Sequence, residues 1–361
     1  MEIRSYTVRP TTKDEHGSMP YVTSSMVEAV VTCPKWGIVH NVLRKRFTTG
    51  YRQMALEAGS LMHEVFSVYN LYQIAKTQNL LDHAVHHGQI LFPNGRFDAL
   101  NFTSIVNGDY SQMRMLEKLA YTVIGSSDFY DEVTDKNRTL ANLEHCSIEL
   151  ANYFLMNHVN FPIWIKDLND PTKEIGIEKS LDVVFDICLG DNTIRSLRFI
   201  GLADVLYHRV NGEVKLGEYK TTSSMNDGWT EAFRTRNQLS AYYGALGAHF
   251  DNVAEEIILT GSTIPVRKTT VSVQHFNVDR TEQSVFDFLR TALFAMDQIN
   301  AYKDNPVIAP MFTHSCNRYF RPCALLDLCT AEVSDQYVML EQMKIDEQMS
   351  PSEMKAFLRQ E

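Results

Sequence analysis

Two acidic residues and one lysine lie close together around a predicted β-hairpin. Asp204 precedes an Asn211-Gly212 turn signal, and Glu218 and Lys220 follow on the returning strand. Glu218 and Lys220 are two positions apart, so they share one face of that strand. Two carboxylates brought together on a sheet can share a hard cation such as Mg²⁺ or Mn²⁺. The pattern therefore predicts a divalent metal site on this hairpin.

The turn decides whether the two carboxylates meet. A two-residue loop would turn Glu218 to the face opposite Asp204. A three-residue loop, with Gly212 in a bulge, pairs Arg209 with Glu213 and sets Asp204 opposite Glu218, with Cβ atoms ~5 Å apart. We predict the three-residue loop, because only that register lets the chemistry work.

Apolar residues flank both carboxylates. Residues 199–203 read Phe-Ile-Gly-Leu-Ala before Asp204, and Leu216 lies two positions before Glu218. The alternative is a solvated hairpin whose charged side chains lie on an exposed face and have no functional role. Charged residues flanked by apolar ones are less often simple surface residues, so the sequence favours a buried site.

One histidine could complete this site. His63 lies on a helix predicted over residues 52–75, whose apolar positions recur every three and four residues. Gly59, one turn earlier, would let this helix approach another element closely. His63 is therefore a candidate third ligand, and a hydrogen-bonded core histidine is the alternative.

A Gln-Tyr pair and neighbouring hydroxyls could hold a substrate. Gln238 and Tyr242 are four residues apart on a predicted helix, so they share a face. Thr221 and Thr222 follow Lys220, and their hydroxyls could hold the phosphates of a strand entering the site.

The cysteines predict a metal cluster. Cys316, Cys323 and Cys329 fall within 14 residues, and the close Cys pairs typical of zinc sites do not occur in the sequence. A [4Fe–4S] cluster uses four thiolates and tolerates wider spacing. Cys33 is the candidate fourth ligand, which would join the N-terminal helix to the C-terminal segment. Three unliganded buried cysteines are the alternative.

Composition indicates an ordinary globular protein with an acidic balance. The chain has 361 residues, 44% of them hydrophobic, and a net charge of −10. That charge argues against coating nucleic acid through bulk charge, but not against a local basic channel. The sequence carries no secretion signal and no membrane-spanning apolar run, so we expect a cytoplasmic protein.

The order of predicted elements indicates an α/β (α+β) fold with a mixed sheet flanked by helices. Two separate strands are predicted over residues 193–200 and 203–210. We predict these divisions: a flexible N-terminus (1–20), N-terminal helices (21–75), a helical insertion (76–170), a core (171–305), a cluster segment (306–330) and an exposed helical tail (331–361).

Taken together, the motifs resemble the RecB-like nucleases of the PD-(D/E)XK superfamily. The similarity is to the iron-sulfur branch, which includes the CRISPR adaptation exonuclease, the AddB nuclease domain and phage RecB-like exonucleases. Each motif is weak alone, but their order is specific. The matching positions in chain order are Cys33-Pro34, Gly59 to His63, Gly201 to Asp204, Glu218 to Lys220, Gln238 to Tyr242, and Cys316, Cys323 and Cys329.

The resemblance implies a restriction-endonuclease-like core and a metal-dependent DNA exonuclease. His63, Asp204 and Glu218 would bind one or two Mg²⁺ or Mn²⁺ ions, together with the backbone carbonyl of Tyr219. Lys220 would orient or activate the attacking water, and Gln238 and Tyr242 would position the strand. The [4Fe–4S] cluster would shape the DNA path. Glu178 is a looser candidate for an accessory ligand.

The expected partner is DNA, as linear duplex ends or a single strand, in recombination, repair or other DNA processing. The tail (331–361) is a candidate docking segment for a protein partner. One alternative is a catalytically silent module that binds DNA ends or a protein and keeps a structural metal cluster. A second alternative is a protein that is stabilised by a structural zinc ion and has no nucleic-acid role.

Overall fold

A seven-stranded mixed sheet organises the computed structural model of the chain. The structure describes residues 2–46, 54–93, 95–108, 110–124, 143, 145–149, 152, 162–209, 211–222, 225–263, 272–312, 316–318, 321–323 and 325–345. The strands are β1 (Ile3–Pro10), β2 (Tyr21–Val22), β3 (Lys45–Arg46), β4 (Ile177–Leu189), β5 (Ile194–His208), β6 (Val214–Thr222), β7 (Glu256–Thr263), β8 (Val273–Asp279), β9 (Asn317–Arg318), β10 (Arg321–Pro322) and β11 (Lys344–Ile345).

The helices surround this sheet. The α-helices are α1 (Lys13–Ser18), α2 (Ser24–Thr32), α3 (Pro34–Gly37), α4 (Met54–Thr77), α5 (Leu81–Leu91), α6 (Ala99–Asn107), α7 (Gln112–Ile124), α8 (Asp227–Arg234), α9 (Asn237–Leu246), α10 (Glu282–Tyr302), α11 (Leu326–Thr330) and α12 (Val333–Gln342). The sheet runs in the order β1-β4-β5-β6-β7-β8, with β2 paired to β5. Its pairs are antiparallel except β6–β7 and β2–β5, so the predicted mixed α/β class is confirmed.

Each face of the sheet carries its own apolar core. Helices α4 to α7 cover one face, where they pack on Tyr207, Tyr219 and Ile258. Helices α2, α9 and α10 cover the other face, where they pack on Phe185 and Leu216. Helices α5 to α7, which lie in the predicted helical insertion (76–170), therefore cover the sheet, and residues 125–142 and 153–161 of that insertion lie outside the described residues. Near the end of that insertion, Ile163 and Ile165 form isolated β-bridges to Tyr207 and Ile175.

Strand β5 is one continuous strand of 15 residues. We predicted two strands with a break near Gly201. Gly201 pairs with Leu181 and Leu202 pairs with Ser180, so the long neighbouring strand β4 carries β5 through the glycine. Tertiary pairing overrides the weak strand preference of a glycine.

The N-terminus is part of the sheet, so the prediction of a flexible N-terminus is wrong for residues 3–18. Strand β1 pairs along β4, and α1 packs beside it. The Arg198 side chain, 1% exposed, donates two hydrogen bonds to the Asp182 carboxylate, at 2.9 and 2.7 Å. It also donates to the carbonyl oxygen of His16 at 2.8 Å. This buried ion pair ties α1 to the sheet.

The C-terminal tail is helical only in part of the described range. Helix α12 ends at Gln342, and β11 then pairs antiparallel with β3. Leu340 is buried, whereas Val333, Tyr337 and Val338 are exposed, so the predicted exposed helix is anchored along one face. Residues 346–361 lie outside the described residues, and docking of a partner there stays a prediction. Among the described helices, none is long and apolar enough to cross a membrane.

We expect Asp182→Ala to destabilise the fold by about 3–5 kcal/mol, because it leaves the buried Arg198 guanidinium unpaired. The free energy of unfolding in urea measures this. The control is Asp297→Ala, which breaks an exposed ion pair with Arg195. The side chains of Asp297 and Arg195 are 45% and 31% exposed, so we expect a cost of about 0–1 kcal/mol. Equal losses in the two variants would contradict a structural role for the buried pair.

The same pair predicts acid sensitivity. Burial alone would raise the pKa of Asp182, but hydrogen bonds from Arg198 and Thr11 outweigh it and hold the pKa below its ordinary value. A carboxylate with a depressed folded pKa stabilises the protein above its unfolded pKa of roughly 3.9 and loses that contribution as the pH falls through the folded pKa. Between pH 5 and pH 3 the parent should therefore lose more unfolding free energy than Asp182→Ala.

Candidate active site

The hairpin between β5 and β6 has the predicted three-residue connection. Arg209 N donates to Glu213 O at 2.9 Å, and Gly212 N donates to Arg209 O at 2.9 Å. Gly212 has φ +85°, the left-handed conformation that favours glycine at a bulge. The register is confirmed by the pairing of Val205 with Gly217. One step further along it, Asp204 lies opposite Glu218.

Asp204 lies at an irregularity of β5. Ala203 and Val205 are two residues apart, yet they belong to the cores on opposite faces of the sheet. Regular strand alternation would put them on the same face. Glu178 of β4 lies between the pairs that flank this point, and it has φ +47°. The backbone distortion thus coincides with the candidate catalytic aspartate, as strained backbone at functional sites often does.

The Asp204 carboxylate joins helix α4 to strand β6. His63 Nδ1 lies 3.1 Å from Asp204 Oδ1, and Tyr219 N donates to Asp204 Oδ2 at 2.7 Å. Burial alone would raise the pKa of Asp204. The imidazole of His63, the ammonium of Lys220 and the Tyr219 amide outweigh it, so the pKa lies below its ordinary value. Asp204 is therefore held as a carboxylate.

Glu218 is buried with one oxygen unsatisfied. Lys220 Nζ donates to Glu218 Oε2 at 2.8 Å, while Glu218 Oε1 is buried and has no hydrogen-bond partner. Burial raises the pKa of Glu218, and the nearby Asp204 carboxylate raises it further. A buried carboxylate oxygen without a partner is costly and calls for an explanation.

Helix α9 carries two of the predicted substrate residues, Gln238 and Tyr242, to the side of the carboxylates. Gln238 Nε2 donates to Tyr242 Oη at 3.1 Å. Tyr242 is buried, and its pKa is raised first by burial and then by the charge of Glu218, so its hydroxyl lies near the carboxylates. A Cβ on Gly201 would lie 2.5 Å from Tyr242 Cε1, so this glycine leaves room for the ring.

Gly59 likewise leaves room for a close approach, here between helix α4 and strand β6. A Cβ on Gly59 would lie 3.1 Å from Thr221 Oγ1, so α4 runs close to the end of β6. Thr221 and Thr222 are both half-buried there. The structure therefore brings Thr221 beside α4, near His63.

The site residues do not form a complete metal cage as they stand. Within the described ranges, no group of three or more His, Cys, Asp or Glu side chains is placed to hold a metal ion. Asp204 turns toward His63 and the Tyr219 amide, and Glu218 turns toward Lys220. Even so, the donors are of the types that Mg²⁺ and Mn²⁺ take, and Glu218 Oε1 has no other partner. The residues therefore fit a divalent cation.

The four candidate cluster cysteines come together from the two ends of the chain. Cys33 is the C-cap that follows α2 and is buried, and Cys323 N donates to Cys316 O at 2.8 Å. Burial raises the pKa of Cys329 to about 11, with the thiols of the other three cysteines adding to the shift. Leu325 N donates to Cys323 Sγ at 3.4 Å. The four thiols are thus close enough to influence one another electrostatically. In the described residues they are not arranged at the distances of a metal coordination sphere.

Two side chains near the site were not singled out from the sequence. Asn70 and Tyr207 are buried and both hydrogen-bond the hydroxyl of Tyr219. Asn70 follows His63 by seven residues, so it lies on the same face of α4, which is the signal that could have identified it. Tyr207 had no comparable signal, because its role depends on packing between strands.

Comparisons with known proteins add little. Neither protein-family models nor curated proteins give a match. Among solved structures, a "Putative exonuclease" from Eubacterium rectale is similar at 10% identity, covering 89% of this chain and 99% of that one, with a TM-score of 0.41. SSO0001 is similar at 18% identity, covering 61% and 81%, with a TM-score of 0.29. Likenesses this weak carry no argument about function.

We expect Gly201→Ala to cost about 1–3 kcal/mol, because the added methyl group overlaps the Tyr242 ring. Urea unfolding measures the loss, with Gly17→Ala as a control, since no atom lies within 4 Å of a Cβ there. In the double variant Gly201→Ala, Tyr242→Leu, the loss of unfolding free energy should be smaller than the sum of the losses in the two single variants if the clash is the cause. A loss equal to that sum would show that the added methyl group clashes with another residue.

Proposed function

We propose that the chain is a metal-dependent DNA exonuclease of the RecB-like PD-(D/E)XK type, which hydrolyses phosphodiester bonds in linear or single-stranded DNA. The observation that carries the proposal is the unsatisfied oxygen of Glu218, buried beside Lys220 and next to Asp204. A buried carboxylate oxygen without a partner is costly, and a carboxylate that also binds a cation accounts for it.

The roles follow from the side-chain chemistry. Asp204, Glu218 and His63 would hold Mg²⁺ or Mn²⁺, with the carbonyl oxygen of Tyr219 as a further ligand. A bound divalent cation supplies Lewis-acid stabilisation of charge developing on a phosphate and makes water more acidic. Lys220, which donates to Glu218, would orient the attacking water at the same point.

The substrate residues surround this centre. Tyr242 and Gln238 form a hydrogen-bonded pair on α9, and Thr221 and Thr222 end β6. Their hydroxyl and amide groups can donate to phosphate oxygens, which positions a strand without reading its sequence. This arrangement favours a nuclease that acts on many sequences.

We expect Glu218→Gln and Lys220→Met to slow digestion of linear DNA with Mg²⁺ or Mn²⁺ by about 100-fold or more, because each removes a group that acts on the attacking water or the cation. Duplex and single-stranded DNA labelled at the 5′ or 3′ end give the rate, the strand preference and the polarity.

The matched controls are Glu213→Gln, on the same hairpin, and Lys173→Met, whose side chain is 52% exposed. Both should digest DNA at the parent rate. If Glu218→Gln and Lys220→Met also do so, the site is elsewhere and a silent binding module becomes the better explanation.

We also propose that Cys33, Cys316, Cys323 and Cys329 hold a [4Fe–4S] cluster. The thiols of Cys33 and Cys316 add to the raised pKa of both Cys323 and Cys329, which supports this, as does the amide hydrogen bond to Cys323 Sγ. The cysteines would join α2 to the C-terminal segment around a small apolar core that includes Val307, Leu328 and Leu340. A cluster there would be structural.

Protein purified without oxygen should be brown, with absorbance at ~400 nm and about four iron atoms per chain. Cys329→Ser should lose the colour and the iron. Cys188→Ser is the matched control and should keep both, since Cys188 is half-buried on the sheet and makes its hydrogen bond to Leu189 O. A colourless parent that contains zinc would overturn the iron-sulfur proposal.

A further inference from the structure

A buried hydrogen-bond network lies behind the candidate metal ligands. The side chains of Asn70, Tyr207 and Tyr219 are 6%, 3% and 4% exposed. Asn70 Nδ2 donates to Tyr219 Oη at 3.2 Å, and Tyr219 Oη lies 3.3 Å from Asn70 Oδ1 and 3.2 Å from Tyr207 Oη. The network therefore links helix α4 to two strands, β5 and β6.

Tyr219 connects this network to the site itself. Its backbone N–H donates to Asp204, and its ring meets the His63 ring edge-on, with centroids 6.4 Å apart. Its ring also packs on Phe66, with centroids 4.5 Å apart. One residue thus orients Asp204 through its amide and contacts His63 through its ring, while its hydroxyl is held by Asn70.

The geometry of α4 makes Asn70 sensitive to the position of His63. The seven residues between them span about 10.5 Å along the helix, close to two full turns. A rotation or sliding of α4 that moved His63 away from Asp204 would also break the bonds of Asn70 to Tyr219. The two contacts therefore set one register of the helix on the sheet.

Replacing both partners of a buried hydrogen bond by apolar groups of the same shape can be nearly neutral for stability, so apolar side chains at positions 70 and 219 could pack in this core without the bond. A buried amide instead restricts the packing to arrangements that satisfy it. The position of Asn70 is therefore better explained by orientation than by stability.

We propose that Asn70 and Tyr207 are positioning residues which, through the hydroxyl of Tyr219, hold His63 against Asp204 and so set the affinity of the site for its divalent cation. This inference rests on the proposed function, because it assigns the network a role at the same metal site. Outer groups that orient metal ligands typically change metal affinity or activity by 10- to 100-fold when removed.

The test uses the full chain and Mn²⁺ as the probe. Electron paramagnetic resonance of free Mn²⁺ gives its affinity, and DNA digestion over a range of Mn²⁺ concentrations gives the half-maximal concentration. We expect Asn70→Leu and Tyr219→Phe each to raise both values about 10-fold. Digestion at saturating Mn²⁺ should return to within about threefold of the parent. The double variant should be no worse than either single one, because both remove the same contact.

The matched control is Tyr69→Phe, on the same helix. Tyr69 Oη donates to Leu116 O at 3.1 Å, away from the candidate ligands. Its removal should lower the stability of α4 packing without changing Mn²⁺ affinity. If Tyr69→Phe and Asn70→Leu weaken Mn²⁺ binding equally, Asn70 acts through general stability and the inference is wrong.

The two measurements separate this inference from the proposed function. A parent that binds Mn²⁺ and hydrolyses DNA, with unchanged affinity in Asn70→Leu, overturns the positioning role alone. A parent that binds Mn²⁺ more tightly than Asn70→Leu but hydrolyses no DNA overturns the nuclease function and supports the positioning role. A parent that binds no Mn²⁺ overturns both.

Discussion

The burial of two carboxylates side by side, Asp204 and Glu218, is the constraint on which the arrangement of the site depends. Two like charges out of water cannot both stay ionised unless positive charge or hydrogen-bond donors compensate them. The fold places three such groups here: the imidazole of His63, the ammonium of Lys220 and the amide of Tyr219. One buried oxygen of Glu218 still has no hydrogen-bond partner, and a divalent cation bound there would supply the missing positive charge.

That constraint explains why elements distant in sequence pack so closely. Gly59 and Gly201 lack the Cβ atoms that would push α4 and the Tyr242 ring away from the strands. The Asn70–Tyr219 hydrogen bonds then restrict α4 to one position. Precision in such a site comes from rigid supporting contacts, since a ligand displaced by about 1 Å no longer meets its partners. The buried ion pair of Arg198 and Asp182 joins β5, which carries Asp204, to β4.

Local patterns predicted much of this arrangement. The hairpin register followed from turn chemistry, since only a bulged three-residue loop with Gly212 in a left-handed conformation sets Asp204 opposite Glu218. The long helix carrying His63 followed from apolar periodicity. The predictions that were wrong involve partners on other strands. The N-terminus pairs with β4, and β5 continues through Gly201, because a neighbouring strand supplies backbone partners that local preferences do not reveal.

Residue types and short-range spacing determined the donor set by themselves: which carboxylates, imidazole, amine and thiols this chain can offer, and which of them share a strand or helix face. Covalent geometry dictates those spacings, so one chain suffices to read them. Tertiary structure alone decided that one buried oxygen of Glu218 has no partner, that β4 and β5 are distorted together at Glu178 and Asp204, and that Asn70 reaches Tyr219. These features arise from packing between different strands and helices, which periodicity within one segment cannot encode.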